Sequence, residues 1–197
     1  MPNIFPLLPP AASREAESVY QDFYRAMGFA SAPNFILTQG HAPRVARGSC
    51  EAVKNILVDG EIARWIKELM FVAISVDRKC VYCSAAHVAC CRMLNVNPDW
   101  TEAVAQGNPG AIADPKLRDM LMFAVKAARD PQSLDAPDFR KLRNYGLGPA
   151  EIMEIIGMAA FAVYANVIAD ATAMDGDPMF DTLALISPGD SAPALRS

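Results

Sequence analysis

Apolar residues in this chain recur three and four positions apart, and no stretch of any length alternates apolar with polar. That period builds helices and leaves no face for a sheet. Val19, Phe23 and Met27 share one side of a helix expected over 14–27, capped by Ser13 and ended by Gly28. Shorter helices are expected over 35–40 and 43–57, before Asp59-Gly60 breaks the pattern. Ile62, Trp65, Ile66, Leu69, Met70, Ala73 and Ile74 mark a strong helix over 61–76. Another spans about 79–94 and is stopped by Asn95-Val96-Asn97-Pro98. The pattern continues through 100–106, 115–128 with Asp114 as cap, 137–145, and a long apolar helix over 149–173. The fold class is therefore all-α, a packed helical bundle in one domain over 1–197. Residues 1–12 read as a Pro-rich extended arm, on the surface or on a neighbouring subunit, and 178–197 as a loose tail. The helix from Pro149 is apolar nearly all round, which argues for the centre of a core or for burial by a partner subunit.

Composition closes off several functions. Hydrophobic residues make up 52% and charged residues 20% of the 197, enough for a sizeable core. The net charge is -4, and Arg44, Arg47, Arg64, Lys67, Arg78 and Lys79 are scattered among acids. No basic face is available for nucleic acid, and no polybasic patch for a membrane surface. The start of the chain has no positive n-region and its prolines break any apolar stretch, so no signal peptide is expected. The longest apolar run, 155–169, contains Asn166 and reads as too short to cross a bilayer. A soluble, cytoplasmic protein is the expectation.

Of the five cysteines, Cys50, Cys80, Cys83, Cys90 and Cys91, four fall within twelve residues. A secreted disulfide scaffold spreads its cysteines, whereas a cluster points to catalysis or metal. Cys80 and Cys83 stand three apart, and Cys83 and His87 four apart, so on a helix a dithiol and an imidazole share one face. A C-x-x-C pair at a helix start closes a disulfide with little backbone change, and the helix N-terminus favours a thiolate. Glu68 lies twelve residues before Cys80, among Trp65, Leu69, Met70 and Phe71. If its helix packs antiparallel to the cysteine helix, its carboxylate returns to face the dithiol. A half-buried carboxylate needs a partner, and His87 is the local histidine.

A glutamate, about a dozen residues, then C-x-x-C-x-x-x-H resembles the motif of the alkylhydroperoxidase D branch of the carboxymuconolactone decarboxylase superfamily. Ala32-Pro33-Asn34-Phe35 is similar to a turn of its peroxidase-related members, and the helix bearing Tyr164 and Asn166 to the family's long C-terminal helix. The resemblance implies that Cys83 attacks a hydroperoxide, that His87 and Glu68 handle its proton, and that Cys80 resolves the sulfenic acid into a disulfide. It further implies a dithiol donor, thioredoxin-like or dihydrolipoyl, a trimer or hexamer, and no metal or organic cofactor. The chain departs from the family in having Asp77-Arg78-Lys79 where many members carry a small or Asn-Gly turn. Arg78 and Lys79 are expected to lower the thiol pKa further. Cys90 and Cys91 are additional, and Cys90 falls on the reactive face as a second resolving thiol or as packing.

Competing readings attach to each residue. Cys80 and Cys83 would serve equally as small buried hydrophobes, but His87 and Glu68 fit the dithiol. Zinc is disfavoured because one helical face does not surround an ion. Glu68 has a structural alternative, pairing with Arg64 one turn earlier. His41 reads as a surface or cap residue, Cys50 as an ordinary thiol, and Cys91 as off the reactive face. Tyr82 should point away from the face shared by the cysteines. Asn166 either faces the site or ties two helices together. The rival functions are a decarboxylase-like lyase on the same fold, and a redox sensor whose dithiol oxidises without turnover.

Overall fold

The computed structural model describes residues 1–185, and the last part of the expected tail lies outside them. Ten α-helices follow one another: α1 Arg14–Met27, α2 Asn34–Gln39, α3 Pro43–Ala52, α4 Arg64–Asp77, α5 Val81–Met93, α6 Pro98–Ala105, α7 Pro115–Arg129, α8 Ala136–Asn144, α9 Pro149–Ala171 and α10 Pro178–Leu185. No strand occurs among the described residues. The expected helix over 43–57 is α-helical only to Ala52 and then widens into a π-helical stretch, Val53–Val58.

The centre of the bundle is α4. From Lys67 to Ser75 every residue is buried, because α5, α7 and α9 enclose it on all sides. Leu69, Met70 and Ile74 are inaccessible to solvent, and burial of each contributes about 1.5–3 kcal/mol. The long helix α9 buries one face only. Its 23 residues are long and apolar enough to cross a membrane by length and composition, contrary to the shorter run read from the sequence. Ile155, Met158, Ala162 and Ala169 face the core, while Met153, Tyr164 and Val167 are exposed.

One buried charge is matched inside this frame. Lys67 donates to Glu154 at 2.8 Å and to the carbonyl of Asp59 at 2.6 Å. Glu154 also accepts from the backbone of Glu61 and Ile62. Gly60 has φ of +128°, and a side chain there would strike the Glu154 carboxylate. The Asp59-Gly60 break therefore lets α9 clamp the start of α4.

Six helices, α1, α4, α5, α6, α8 and α9, end with the same pair of backbone bonds, the Schellman arrangement, which needs one left-handed residue. Gly28, Gly107 and Gly146 supply it for α1, α6 and α8. After α4, α5 and α9 the left-handed residue is Lys79, Asn95 and Ala173, with φ of 62°, 53° and 50°. For Lys79 and Ala173 this conformation costs about 1 kcal/mol each. Lys79 thus occupies, at a cost, a position where glycine is the unstrained residue.

The two ends of the chain differ. The N-terminal arm lies on the surface, the first of the two places expected for it, and is tied to its own chain: Asn3 bonds the carbonyl of Thr172, and Leu7 that of Leu37. The tail read as loose over 178–197 begins as a helix, α10, whose Phe180 is buried against Phe29 and Tyr82. The pair Asp177-Pro178 has the same sequence pattern as Asp114-Pro115, an acid before a first-turn proline, but the Asp177 carboxylate bonds Asn34 and Tyr82, whereas that of Asp114 bonds its own helix.

Candidate active site

The three residues between α4 and α5 fold the two helices back on each other, and this hairpin brings Glu68 opposite His87. The Glu68 carboxylate is wholly buried. His87 Nδ1 lies 2.6 Å from Oε2, and Arg64 Nε donates to Oε1 at 3.0 Å. Both partners foreseen for Glu68, the histidine and the arginine one turn earlier, are thus present together. Burial pushes the carboxyl up, but the charge and hydrogen bond of His87, then those of Arg64, outweigh it and leave its pKa below the ordinary value. Against a carboxylate, Nδ1 of His87 is the donor, so in the neutral ring Nε2 keeps a free lone pair. Phe71 stacks on the imidazole at 3.5 Å between centroids and 13° between planes, which fixes the ring.

Beside this dyad is a cavity of about 40 Å³, walled by aromatic rings and reached by Cys83, His87 and Cys90. One water needs about 10–15 Å³ on this measure, so the space takes a few water-sized molecules. Cys80 occupies the N-cap position of α5, without a side-chain capping bond, and borders a different space, an open surface pocket on the other side of the helix. The dithiol therefore lies between an inner cavity on the Cys83 side and the outer pocket on the Cys80 side, with the Cys80 thiol itself wholly buried. All five cysteines are free and buried. Cys91 does not reach the cavity, as expected, whereas Cys90 does.

The electrostatics of Cys83 reverse the expectation. Its thiol is held well above the ordinary value, first by its hydrogen bond with Cys80 and then by burial. Arg78 and Lys79 are exposed and are not among the groups that shift it. Asn166 pulls in the opposite direction by hydrogen bonding toward Cys83. The same amide donates to Ser75 Oγ at 2.9 Å, so the two roles left open for Asn166 coincide. Its Oδ1 is buried without a partner.

Tyr82 does not point away as expected. It lines the cavity, donates to Asp177 at 2.7 Å, and accepts from the backbone of Phe35 at 3.0 Å. Asp177 also caps the backbone N–H of Asn34 at 2.9 Å. These bonds fasten the start of α10 over the cavity and place Phe180 in its wall. Asp177 and Phe180 were not foreseen, although the cap and proline signal at 177–178 announced the helix. Among residues flagged in the sequence, Cys50 is core, and His41 is exposed and bonds the carbonyl of Phe5.

Donor atoms of Glu68, His87 and Cys90 lie within 4.8 Å of one another. They come from two helices, so the single-face objection to a metal does not apply to this set. However, both Glu68 oxygens are already engaged, one of them by the Arg64 cation, and that charge opposes a metal ion.

No family model matches this chain, and no curated protein matches it in sequence. Solved structures do match in fold. The core of an alkylhydroperoxidase AhpD, an uncharacterised peroxidase-related protein from Ralstonia eutropha JMP134, is 26% identical, with a TM-score of 0.81 over 91% of this chain and 94% of that one. An uncharacterised peroxidase-related protein from Silicibacter sp. TM1040 is 24% identical, with a TM-score of 0.78 over 89% and 91%. The debrominase Bmp8 is 22% identical, with a TM-score of 0.77 over 91% and 95%. A cysteine-to-alanine variant of Bmp8 forms a complex with 2,3,4-tribromopyrrole. The all-helical architecture is that of alkylhydroperoxidase D-like proteins, and these neighbours support that superfamily for the chain.

Proposed function

We propose that this chain, alkylhydroperoxidase D-like in its fold, is a thiol peroxidase that reduces small hydroperoxides with the Cys80/Cys83 dithiol. The observation that carries the reading is the buried Glu68–His87 bond of 2.6 Å beside a cavity that also receives Cys83. A thiolate attacks peroxide, and a buried thiol with a raised pKa needs a base to become one. His87, oriented by Glu68 and Phe71, is that base. Cys83 attacks the peroxide, the O–O bond breaks, and an alcohol or water leaves with the proton, so that Cys83 becomes a sulfenic acid. The Cys80 thiol attacks that sulfur and expels water, forming the disulfide. A dithiol donor then restores the two thiols. The exposed apolar side chains of α9, Met153 and Val167, suit a homo-oligomer, for which a trimer or hexamer is the proposal.

Stopped-flow mixing of the reduced protein with hydrogen peroxide, with thiols followed by mass spectrometry, tests this. Rapid formation of a Cys80–Cys83 disulfide, abolished by Cys83→Ser, is expected. Thiols that persist at millimolar peroxide would refute the peroxidase reading.

A second reading comes from the debrominase neighbour: reductive removal of halide from an aromatic ring by the same dithiol. The aromatic wall of the cavity favours it, while the volume of about 40 Å³ requires the wall to move. Release of bromide from a brominated pyrrole at a rate exceeding peroxide turnover would select it.

A further inference from the structure

We infer that the dithiol is served from two sides of α5, and that the outer pocket at Cys80 admits a reducing thiol that carries a negative charge. The inference rests on the proposed function only in taking a Cys80–Cys83 disulfide as the species to be reduced.

The outer pocket has a volume of about 530 Å³ and opens to solvent. Its floor is a strip of α5, the exposed Val81 and Ala85 and the half-buried Val88, beside Cys80; the Cys80 thiol is wholly buried, so an incoming thiol reaches it only as this strip gives way. Val81 is 82% exposed, an unusual place for a β-branched apolar side chain next to a thiol. Lys79 stands at one end and Arg92 at the other, about three turns further along the helix. Asp181 of α10 is the single acid in the lining, so the pocket is cationic on balance. Among the described residues neither Lys79 nor Arg92 is held in an ion pair.

A second observation points the same way. Lys79 is the left-handed residue of the α4 terminus, where glycine is the unstrained choice. The strain sits one residue from the dithiol, and strain of this kind gathers where the side chain has work to do. The inner cavity is unsuited to the same ligand. It is small and walled by aromatic rings, and a carboxylate brought there would lose its hydration without a free cation to meet it.

The chemistry balances with two thiols. The incoming thiolate attacks Sγ of Cys80, the Cys80–Cys83 bond breaks, and Cys83 leaves with the electron pair and takes up a proton. A second thiol attacks the donor sulfur of the mixed disulfide and releases Cys80. The donor ends as a disulfide and the protein as the dithiol. Phe180 lines both spaces and separates the oxidising side from the reducing side.

The test begins with the full chain oxidised by diamide, so that the disulfide is made without peroxide. Its reduction by 3-mercaptopropionate, 2-mercaptoethanol and cysteamine is timed at equal thiolate concentration and low salt. The anionic thiol should be roughly tenfold faster than the cationic one, a steering effect that narrows in 0.5 M salt. Lys79→Gln with Arg92→Gln should bring the ratio near one, and Lys79→Arg should keep it. In Cys83→Ser protein, an anionic aromatic disulfide should label Cys80. Equal rates for the three thiols, or a preference that survives removal of both charges, would overturn the inference. Failure of diamide to join Cys80 and Cys83 would overturn it as well. Failure of peroxide alone to form the disulfide would defeat the peroxidase reading and leave the measured thiol preference to decide this one.

Discussion

Replacing Glu68 by glutamine keeps shape and removes one charge, and the geometry around that residue fixes what should follow. The carboxylate serves two donors, His87 at 2.6 Å and Arg64 at 3.0 Å, and is fully buried. Removing one partner of a buried ion pair costs about 3–5 kcal/mol. The lower end is expected, because the amide oxygen still accepts from Arg64, which also bonds the carbonyl of Met27. The effect on chemistry is separate. With the amide oxygen on Arg64, the amide nitrogen faces His87 Nδ1, which must become the acceptor. The imidazole proton then moves to Nε2, and the base loses its free lone pair. A positioned general base contributes about 10²–10⁴ in rate, so oxidation of Cys83 should slow by that factor. The assay is stopped-flow oxidation by hydrogen peroxide at pH 7, normalised to folded protein, with the His87 tautomer read by ¹⁵N NMR. The stability record carries its own sign. The folded-state pKa of Glu68 is lowered, so the wild type holds stability above the ordinary carboxylate value of about 4.3 and loses it as pH falls below that. Glu68→Gln should lack this acid limb. If the variant loses stability but oxidises within twofold of wild type per folded molecule, Glu68 is only structural and the base assignment fails.

Three further outcomes are expected. Asn166→Leu removes the amide that favours the Cys83 thiolate, and hydrogen bonds to charged groups contribute about 1.5–3 kcal/mol, so oxidation should slow roughly tenfold or more. Ser75→Ala, which cuts only the tie to α4, should leave that rate in place. Ala173→Gly relieves a left-handed alanine and should raise stability by about 0.5–1 kcal/mol, a rise of a few degrees in Tm by calorimetry. Cys83, Cys90 and Cys91 all have folded-state pKa values well above normal, so their contribution is complete below the unfolded thiol value of about 8.5 and lost as pH rises past it. Urea unfolding between pH 8.5 and 10 should show a slope approaching about 4 kcal/mol per pH unit for the three, and Cys90→Ala with Cys91→Ala should remove most of it.

Much of this site was legible in the sequence because its key contacts lie across one helical hairpin. Glu68, Cys83 and His87 fall at spacings that a helix, a three-residue turn and a second helix bring together, and period and punctuation suffice to read that. Tyr82 was misjudged for a related reason. Its angle relative to Cys83 on an isolated helix says nothing of Asp177, which lies ninety-five residues away and draws the hydroxyl across the cavity. The short helix over the cavity was missed because the Pro, Gly, Asp and Ser of the last twenty residues outweighed the Asp177-Pro178 signal. The turn at Lys79 was visible as a departure from the family, but its meaning was not. Only the backbone angle shows that a glycine position is held by a lysine.

The misreading of the thiol pKa has the most consequence for mechanism. A thiolate can be obtained by surrounding a sulfur with cations, or by keeping the thiol protonated and placing a base beside it. Arg78 and Lys79 suggested the first route, yet both are exposed, and burial beside Cys80 holds Cys83 protonated. In the proposed function the Glu68–His87 dyad supplies the second. A thiol of raised pKa is intrinsically the stronger nucleophile once ionised, and it resists adventitious oxidants while it is not. In the proposed reaction the negative charge is stored on Glu68 rather than on sulfur, and attack on peroxide depends on His87 taking the proton at the cavity that both side chains line. The exposed lysine then remains outside, where the inferred reductant would meet it.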